Sequence, residues 1–153
     1  MNPEHADDPK SPLCPSAPPE LAGAVIFGVV GGTATEPRVA HLVQPLPVTD
    51  EVLALAEPAS PRQVFRAAAP CAMSACAHFA QNRCHLVTRV VAALPEAVDG
   101  LPVCRIRPDC RWWQQEGKAA CLRCPLVVTD MVNPSELYRR VANPTRYDDG
   151  DVA

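Results

Sequence analysis

The stretch "CRWWQQEGKAACLRCP", residues 110–125, contains three of the chain's eight cysteines and both of its tryptophans. The role of these cysteines decides how the centre of the chain folds. They can be metal ligands, halves of disulfides or buried apolar side chains. Each alternative predicts a different structure around the same residues. The choice among them depends on the cellular compartment and on the spacing of the other cysteines.

Length and composition predict one globular domain with short elements. A chain of 153 residues can bury a hydrophobic core without cross-links, so stability alone does not explain eight cysteines. Apolar residues make up 48% of the chain and charged residues 20%, which is typical of a folded protein. The 18 prolines, against 7 glycines, predict short elements with rigid connections.

The apolar runs and the N-terminal segment predict a cytoplasmic protein with no membrane segment. Residues 1–20 contain six prolines and lack the basic, apolar and small-residue parts of a secretory signal. The longest apolar run, at 21–32, is shorter than the roughly 18–20 residues of a membrane-spanning helix. Since the cytoplasm is reducing, closely spaced thiols there are more often metal ligands or redox groups than structural disulfides. We therefore expect the closely spaced cysteines to bind metal.

The distribution of charge argues against nucleic-acid binding and favours an acidic protein partner. The net charge is -3, whereas neutralising phosphates requires a basic surface. Between Cys104 and Cys124, however, five basic residues outnumber two acidic ones. This basic segment is either a solvated helix face or a rim that balances an anionic cofactor and meets an acidic partner. The five are Arg105, Arg107, Arg111, Lys118 and Arg123.

The order of the elements predicts an α+β fold, with a small N-terminal β-hairpin followed by a short-helix, cysteine-rich metal-binding body. Residues 24–30 form an apolar, β-branched strand that ends at two glycines, and residues 38–46 return as its partner. A helix beginning at Ser60-Pro61 is expected to end at Pro70. Other short helices are expected at 50–56, 85–94, 112–120 and 135–142.

The same patterns divide the chain into three parts. Residues 1–20 are predicted to be a disordered, acidic and proline-rich tail, 21–145 a single domain and 146–153 a second tail. Within the domain, 21–69 comprise the hairpin and short helices, 70–129 the cysteine-rich metal-binding region and 130–145 the C-terminal helix.

Seven of the cysteines divide into two sets, and Cys14 stands apart in the predicted tail. The first set is Cys71, Cys76 and Cys84, and the second is Cys104, Cys110, Cys121 and Cys124. The two sets follow a similar pattern. In each, a short loop separates the first two cysteines, and apolar residues follow soon after the later ones. This similarity suggests a degenerate internal repeat. Grouping Cys104 with the first set fits the spacing nearly as well.

The spacing favours an iron–sulfur cluster over zinc. Zinc ligands usually come as two close pairs, and only Cys71-x4-Cys76 and Cys121-x2-Cys124 have that form. A [4Fe–4S] cluster accepts wider gaps, because each of its four irons takes a thiolate from a different direction. The ending "CLRCP" also resembles the cysteine–proline end of bacterial ferredoxin motifs, although the full ferredoxin run is absent.

These arguments predict a [4Fe–4S] cluster on the second set and leave the first set open. Trp112 and Trp113 are expected to pack in the core and to shield the cluster from water. The first set, with three thiols, predicts a less secure second site, which is either a cluster whose fourth ligand is His78, His85, solvent or substrate, or a zinc site. Cys14 would reach it only if the tail folded back across the body.

The span 70–129 resembles small bacterial proteins that carry a "CRWWxQEGxxACxRCP" motif and are sometimes labelled nitrogen-fixation-associated or iron–sulfur proteins. The resemblance covers roughly the central third of the chain and implies metal binding rather than a reaction. We expect one or two clusters that serve electron transfer or redox sensing for a partner enzyme. The alternative is a zinc-stabilised protein-interaction module without redox activity. With no nucleophile–base pair or nucleotide loop, an electron carrier or accessory protein is expected rather than an enzyme.

Overall fold

The computed structural model describes residues 11–33 and 36–144, and its architecture is α+β. Four strands form an antiparallel sheet in the order β1-β4-β2-β3: β1 (Leu13–Ala17), β2 (Val25–Gly32), β3 (Pro37–Pro47) and β4 (Phe65–Pro70). Two further strands, β5 (Phe79–Ala80) and β6 (Arg83–Cys84), pair with each other. The helices are α1 (Asp50–Ala54), α2 (Pro61–Val64), α3 (His85–Ala93), α4 (Arg111–Glu116), α5 (Lys118–Cys121) and α6 (Glu136–Ala142). Short 3₁₀ turns lie at Met73–Ala75, Arg107–Asp109 and Cys124–Leu126.

The predicted N-terminal hairpin is confirmed. β2 and β3 pair antiparallel from Val25, opposite Pro47, to Gly32, opposite Pro37. Against β4 the register shifts between Ile26 and Gly28, which leaves Phe27 as the extra residue of a bulge in β2. Against β3 the register shifts at the same place, but there the extra residues, 42–45, belong to β3. Gly28 is required there, because a Cβ would lie 2.7 Å from Val39 Cγ1.

The N-terminal segment contains a strand, which corrects the prediction of a disordered tail over 1–20. β1 pairs antiparallel with β4, and Cys14 lies opposite Ala69. Prolines are tolerated because β1 is an edge strand, so half of its N–H groups need no partner in the sheet. The remainder of the predicted N-terminal tail, residues 1–10, and the predicted tail at 146–153 lie outside the described residues.

The helix expected between Ser60 and Pro70 is correct only in its first turn. Ser60 caps α2, and Gln63 completes a capping box with it, but the helix ends at Val64. The following residues form β4, which pairs with β1 on one side and β2 on the other. Its alanines at 67–69 are at most 1% exposed. Pairing and burial on both sides therefore outweigh the helix preference of alanine.

The other predicted helices are present, with one interruption. Thr49 caps α1 and Ser135 caps α6 through their side-chain oxygens. The helix expected at 112–120 is divided into α4 and α5, because Gly117 adopts a positive φ of 66°. None of the helices in the described ranges has the length and apolar character needed to span a lipid bilayer.

Neighbouring residues of β2 belong to different hydrophobic clusters. Ile26 packs with Ala56 and Phe65, close to α1 and α2. Phe27 packs with Ala68 and Ile106, which belongs to the cysteine-rich body. That body has a core of its own, formed by Val87, Val90, Trp112, Ala120, Leu126 and Val141 together with buried cysteines. The sheet therefore supports the cysteine-rich body through Phe27 and its neighbours.

Candidate functional site

Site I is the set Cys104, Cys110, Cys121 and Cys124, and the structure brings all four cysteines to one small cavity. Each cysteine lies at a change of direction. Cys104 precedes the turn at Arg107–Asp109 and Cys110 precedes α4, while Cys121 ends α5 and Cys124 begins the last 3₁₀ turn. Cys110 and Cys124 are buried, whereas Cys104 and Cys121 are partly exposed. Two of the four sulfurs therefore mark the edge of the site that is nearest to solvent.

The cavity at site I is small. Its volume is about 20 Å³, which is room for about one water molecule. Among the described residues, no group of three or more His, Cys, Asp or Glu side chains is placed to hold one metal ion.

The thiols of site I influence one another's ionisation. Burial raises the pKa of Cys110 to about 12, and negative charge on Cys124 and Cys104 adds to the rise. Burial also raises the pKa of Cys104 and of Cys121, again with a contribution from Cys124. Four thiolates at this place therefore require compensating positive charge.

Arg66 brings one such charge to Cys124. The Arg66 side chain is completely buried, and its Nη2 donates a hydrogen bond to the Cys124 sulfur at 3.2 Å. Its Nη1 donates to the carbonyl oxygens of Cys124 and Val127 at 2.8 and 2.7 Å, and its Nε donates to that of Pro15 at 3.0 Å. No ion pair joins Arg66 to a carboxylate within the described part of the chain. Of these partners, only the Cys124 sulfur can become anionic.

Arg107 is the second arginine of site I. Its guanidinium hydrogen-bonds the Cys121 sulfur, which opposes the rise of the Cys121 pKa caused by burial. It also donates to the Pro102 carbonyl oxygen and lies 5.6 Å from the ring centre of Trp113. Burial, Arg66 and Arg107 together lower the pKa of His41, at the edge of the cavity, to about 4. His41 is therefore neutral at pH 7 and adds no positive charge to those of Arg66 and Arg107.

The basic segment between Cys104 and Cys124 is not a solvated helix face. Only Arg105 and Lys118 of its five basic residues are exposed. Arg111 donates to the Met73 sulfur at 2.9 Å, and Arg123 donates to the carbonyl oxygens of Leu94 and Ala119. With Arg107 at site I, three of the five cations are turned towards the protein.

Site II is the set Cys14, Cys71, Cys76 and Cys84, whose side chains line a second cavity of about 600 Å³. Burial raises the pKa of Cys14 to about 12, and negative charge on Cys84, Cys71 and Cys76 raises it further. The predicted first set is therefore joined by Cys14, which the sequence had placed apart. Cys104 lines the other cavity, so the alternative grouping of Cys104 with the first set is not found.

The two histidines considered as further ligands differ in position. His78 lines the cavity of site II, and its Nδ1 accepts a hydrogen bond from Arg89 at 2.7 Å. Burial and Arg89 lower the pKa of His78 to about 4, so the imidazole is neutral at pH 7. His85 is not among the residues that line this cavity, and its Nε2 contacts the Ala80 carbonyl and the Gln81 side chain.

Trp112 lies between the two sites. It is 2% exposed and lines both cavities, whereas Trp113 is partly buried beside Arg107. The Trp112 indole Nε1 is buried and has no hydrogen-bond partner among the described residues. The same is true of Nε of Arg107, which lines site I, and of Nε of Arg111, which lines site II. Buried donors without acceptors are uncommon in folded proteins, and here three of them border the cysteine sites.

Sequence analysis missed two residues of these sites. Arg66 is the single charged residue in the apolar run "VFRAAAP", and a charge in such a run indicates a specific buried partner. Cys14 has no comparable signal, because only the pairing of β1 with β4 brings it to site II. None of the eight cysteines, all of which lie in the described ranges, forms a disulfide.

The chain matches no family model, and no curated protein or solved structure is significantly similar to it. The fold and the sites therefore define only a class, an α+β protein with two groups of four cysteines.

Proposed function

We propose that the protein carries a [4Fe–4S] cluster at site I and serves one-electron transfer or redox sensing for a partner enzyme. The observation that supports this most is the hydrogen bond from the fully buried Arg66 to the Cys124 sulfur. A buried guanidinium is costly unless an anion balances it, and a neutral thiol does not. A thiolate bound to an anionic cluster would provide that balance.

The donors around site I suit the inorganic sulfides and thiolates of a cluster. Backbone N–H groups of Ile106 and Arg107 point to the Cys104 sulfur, and those of Trp112 and Trp113 to the Cys110 sulfur. The unpartnered donors Arg107 Nε and Trp112 Nε1 border the same cavity. Hydrogen bonds to sulfur stabilise the more negative, reduced cluster and so raise its reduction potential.

The exposed edge of site I indicates where a redox partner would approach. Cys104 and Cys121 are the two partly exposed cysteines, and each has an exposed cation nearby in sequence, Arg105 and Lys118. An electron would pass through this edge, since Cys110 and Cys124 are buried. We therefore propose a cytoplasmic partner protein with an acidic surface around its own redox centre.

Metal analysis of the full-length protein, purified without oxygen, tests the cluster. We expect a brown protein that contains iron and acid-labile sulfide in equal amounts. A colourless protein with stoichiometric zinc would contradict the proposal. It would support the zinc-stabilised interaction module, which the pair Cys121-x2-Cys124 favours.

Replacing one ligand tests the position of the cluster. We expect Cys124→Ala to remove the iron of site I, about four atoms per chain, because one corner of the cluster loses its thiolate. His85→Gln serves as the control and should keep all the iron, since His85 does not line either cavity. Full iron in Cys124→Ala would rule out the ligand assignment.

A further inference from the structure

We infer that Cys14 is the fourth ligand of a second [4Fe–4S] cluster, held at site II with Cys71, Cys76 and Cys84. The inference shares its metal chemistry with the proposed function but concerns different residues and can fail independently. With Cys14, each of the four irons of the cluster would have a cysteine ligand, whereas the three cysteines expected from the sequence would leave one iron without a thiolate.

The register of the sheet positions Cys14. Opposite Cys14 is Ala69, two residues before Cys71, and the Cys71 N–H donates to the Pro12 carbonyl oxygen at 2.9 Å. The strand pairing therefore fixes the first two cysteines of site II relative to each other without any bond between their side chains. Cys76 follows the turn at Met73–Ala75, and Cys84 ends β6.

Two of the sulfurs of site II share one local arrangement. Cys71 accepts a hydrogen bond from the Met73 N–H and Cys76 from the His78 N–H, each at 3.4 Å. Burial raises the pKa of Cys14 and of Cys84, and backbone N–H groups nearby oppose the rise, that of Ser16 at Cys14 and those of Val87 and Leu86 at Cys84. Hydrogen bonds of this kind favour the thiolate, which is the form that binds iron.

The cavity also offers space and positive charge for an anionic cluster. Its volume of about 600 Å³ lies in the range of pockets that hold cofactors. Arg111 lines it, and Arg111 Nε is a buried donor without a partner in the described residues. Sulfide ions of a cluster would supply an acceptor for this donor.

Iron content after anaerobic reconstitution with ferrous iron and sulfide tests the inference. The wild-type chain is expected to bind about eight irons, as two [4Fe–4S] clusters require. Cys14→Ala should lose about one iron if a cluster with three thiolate ligands persists at site II, and about four irons if that cluster is lost. His85→Gln is the control and should keep about eight, because His85 lines neither cavity.

The outcomes separate the two proposals. A wild-type chain without iron and sulfide would refute both. A chain with about four irons, all lost in Cys124→Ala and none in Cys14→Ala, would overturn the second cluster and keep the first. Unchanged iron in Cys14→Ala would overturn Cys14 as a ligand.

Cys14→Ser keeps the inference testable if Cys14→Ala does not fold, because serine differs from cysteine by one atom. X-ray absorption at the iron edge would count the sulfur and oxygen atoms bound to iron in the reconstituted wild-type and variant proteins. We expect Cys14→Ser either to lose iron from site II or to show an iron–oxygen bond in place of one iron–sulfur bond. Unchanged iron content with unchanged iron–sulfur bonding would contradict ligation by Cys14.

Discussion

Arg66 is the residue that connects the strands of the sheet to both cysteine sites. Its Nε contacts the carbonyl oxygen of Pro15, next to Cys14, while its Nη2 contacts the Cys124 sulfur. Its guanidinium also lies 5.1 Å from the ring centre of Phe27 and 5.8 Å from that of Trp112. Several directed hydrogen bonds from one planar group require arginine, because lysine concentrates its donors at one point.

Arg66→Lys tests this role. We expect stability to fall by about 1–3 kcal/mol, because buried carbonyl oxygens lose their donors. The reduction potential of the proposed cluster at site I should also fall, since a hydrogen bond to the Cys124 sulfur disappears. Urea unfolding and a redox titration measure the two effects. Arg62→Lys is the control, because Arg62 is exposed and, among the described residues, forms its one ion pair with Glu20 on the surface. An unchanged potential in Arg66→Lys would contradict the role at the cluster.

At the scale of single elements, the sequence predicted what depends on local chemistry. The caps Thr49, Ser60 and Ser135 act within a few residues, so these helix starts are visible in the sequence. The break at Gly117 was not predicted, since one helix was expected over 112–120. β4 was not predictable, because "FRAAAP" forms a strand only through its pairing with two neighbours. β1 was missed for the same reason, and Cys14 was missed with it.

The close packing of β4 leads to a prediction of its own. Ala68 is fully buried against Phe27 and Ile106, so Ala68→Leu should destabilise the protein by about 1–3 kcal/mol through overpacking. Ala54→Leu, on an exposed position of α1, changes the same atoms and should have an effect within about 0.5 kcal/mol. Urea unfolding of the two variants compares them directly. Equal effects would mean that β4 is not tightly enclosed.

At the scale of the whole molecule, each cysteine site joins segments that are distant in sequence. Site I connects the loop at Cys104 with α4, α5 and the last 3₁₀ turn, and site II connects β1 with the segment after β4. Spacing predicted which cysteines of site I belong together, because they all lie within one region. It could not supply Cys14, since strand pairing brings that cysteine to site II.

Metal bound at both sites should therefore stabilise the fold. Removing it with a chelator under reducing conditions is expected to lower the melting temperature by about 10 °C or more, because metal binding at sites absent from the unfolded chain is folding free energy. The double variant Cys14→Ala/Cys124→Ala is the control and should melt at nearly the same temperature with and without chelator. If the chelator leaves the melting temperature of the wild-type protein unchanged, metal binding does not stabilise the fold.

The position of β1 also sets an order of events during synthesis. Cys14 leaves the ribosome before any part of β4 exists, and the other three cysteines of site II follow only after that strand. β1 thus remains without its pairing partner while the hairpin of β2 and β3 emerges. The cysteines of site I all lie in one short segment that is synthesised after site II. Of the four cysteines of site II, Cys14 is synthesised first, and it can join the other three only when the growing chain has passed Cys84.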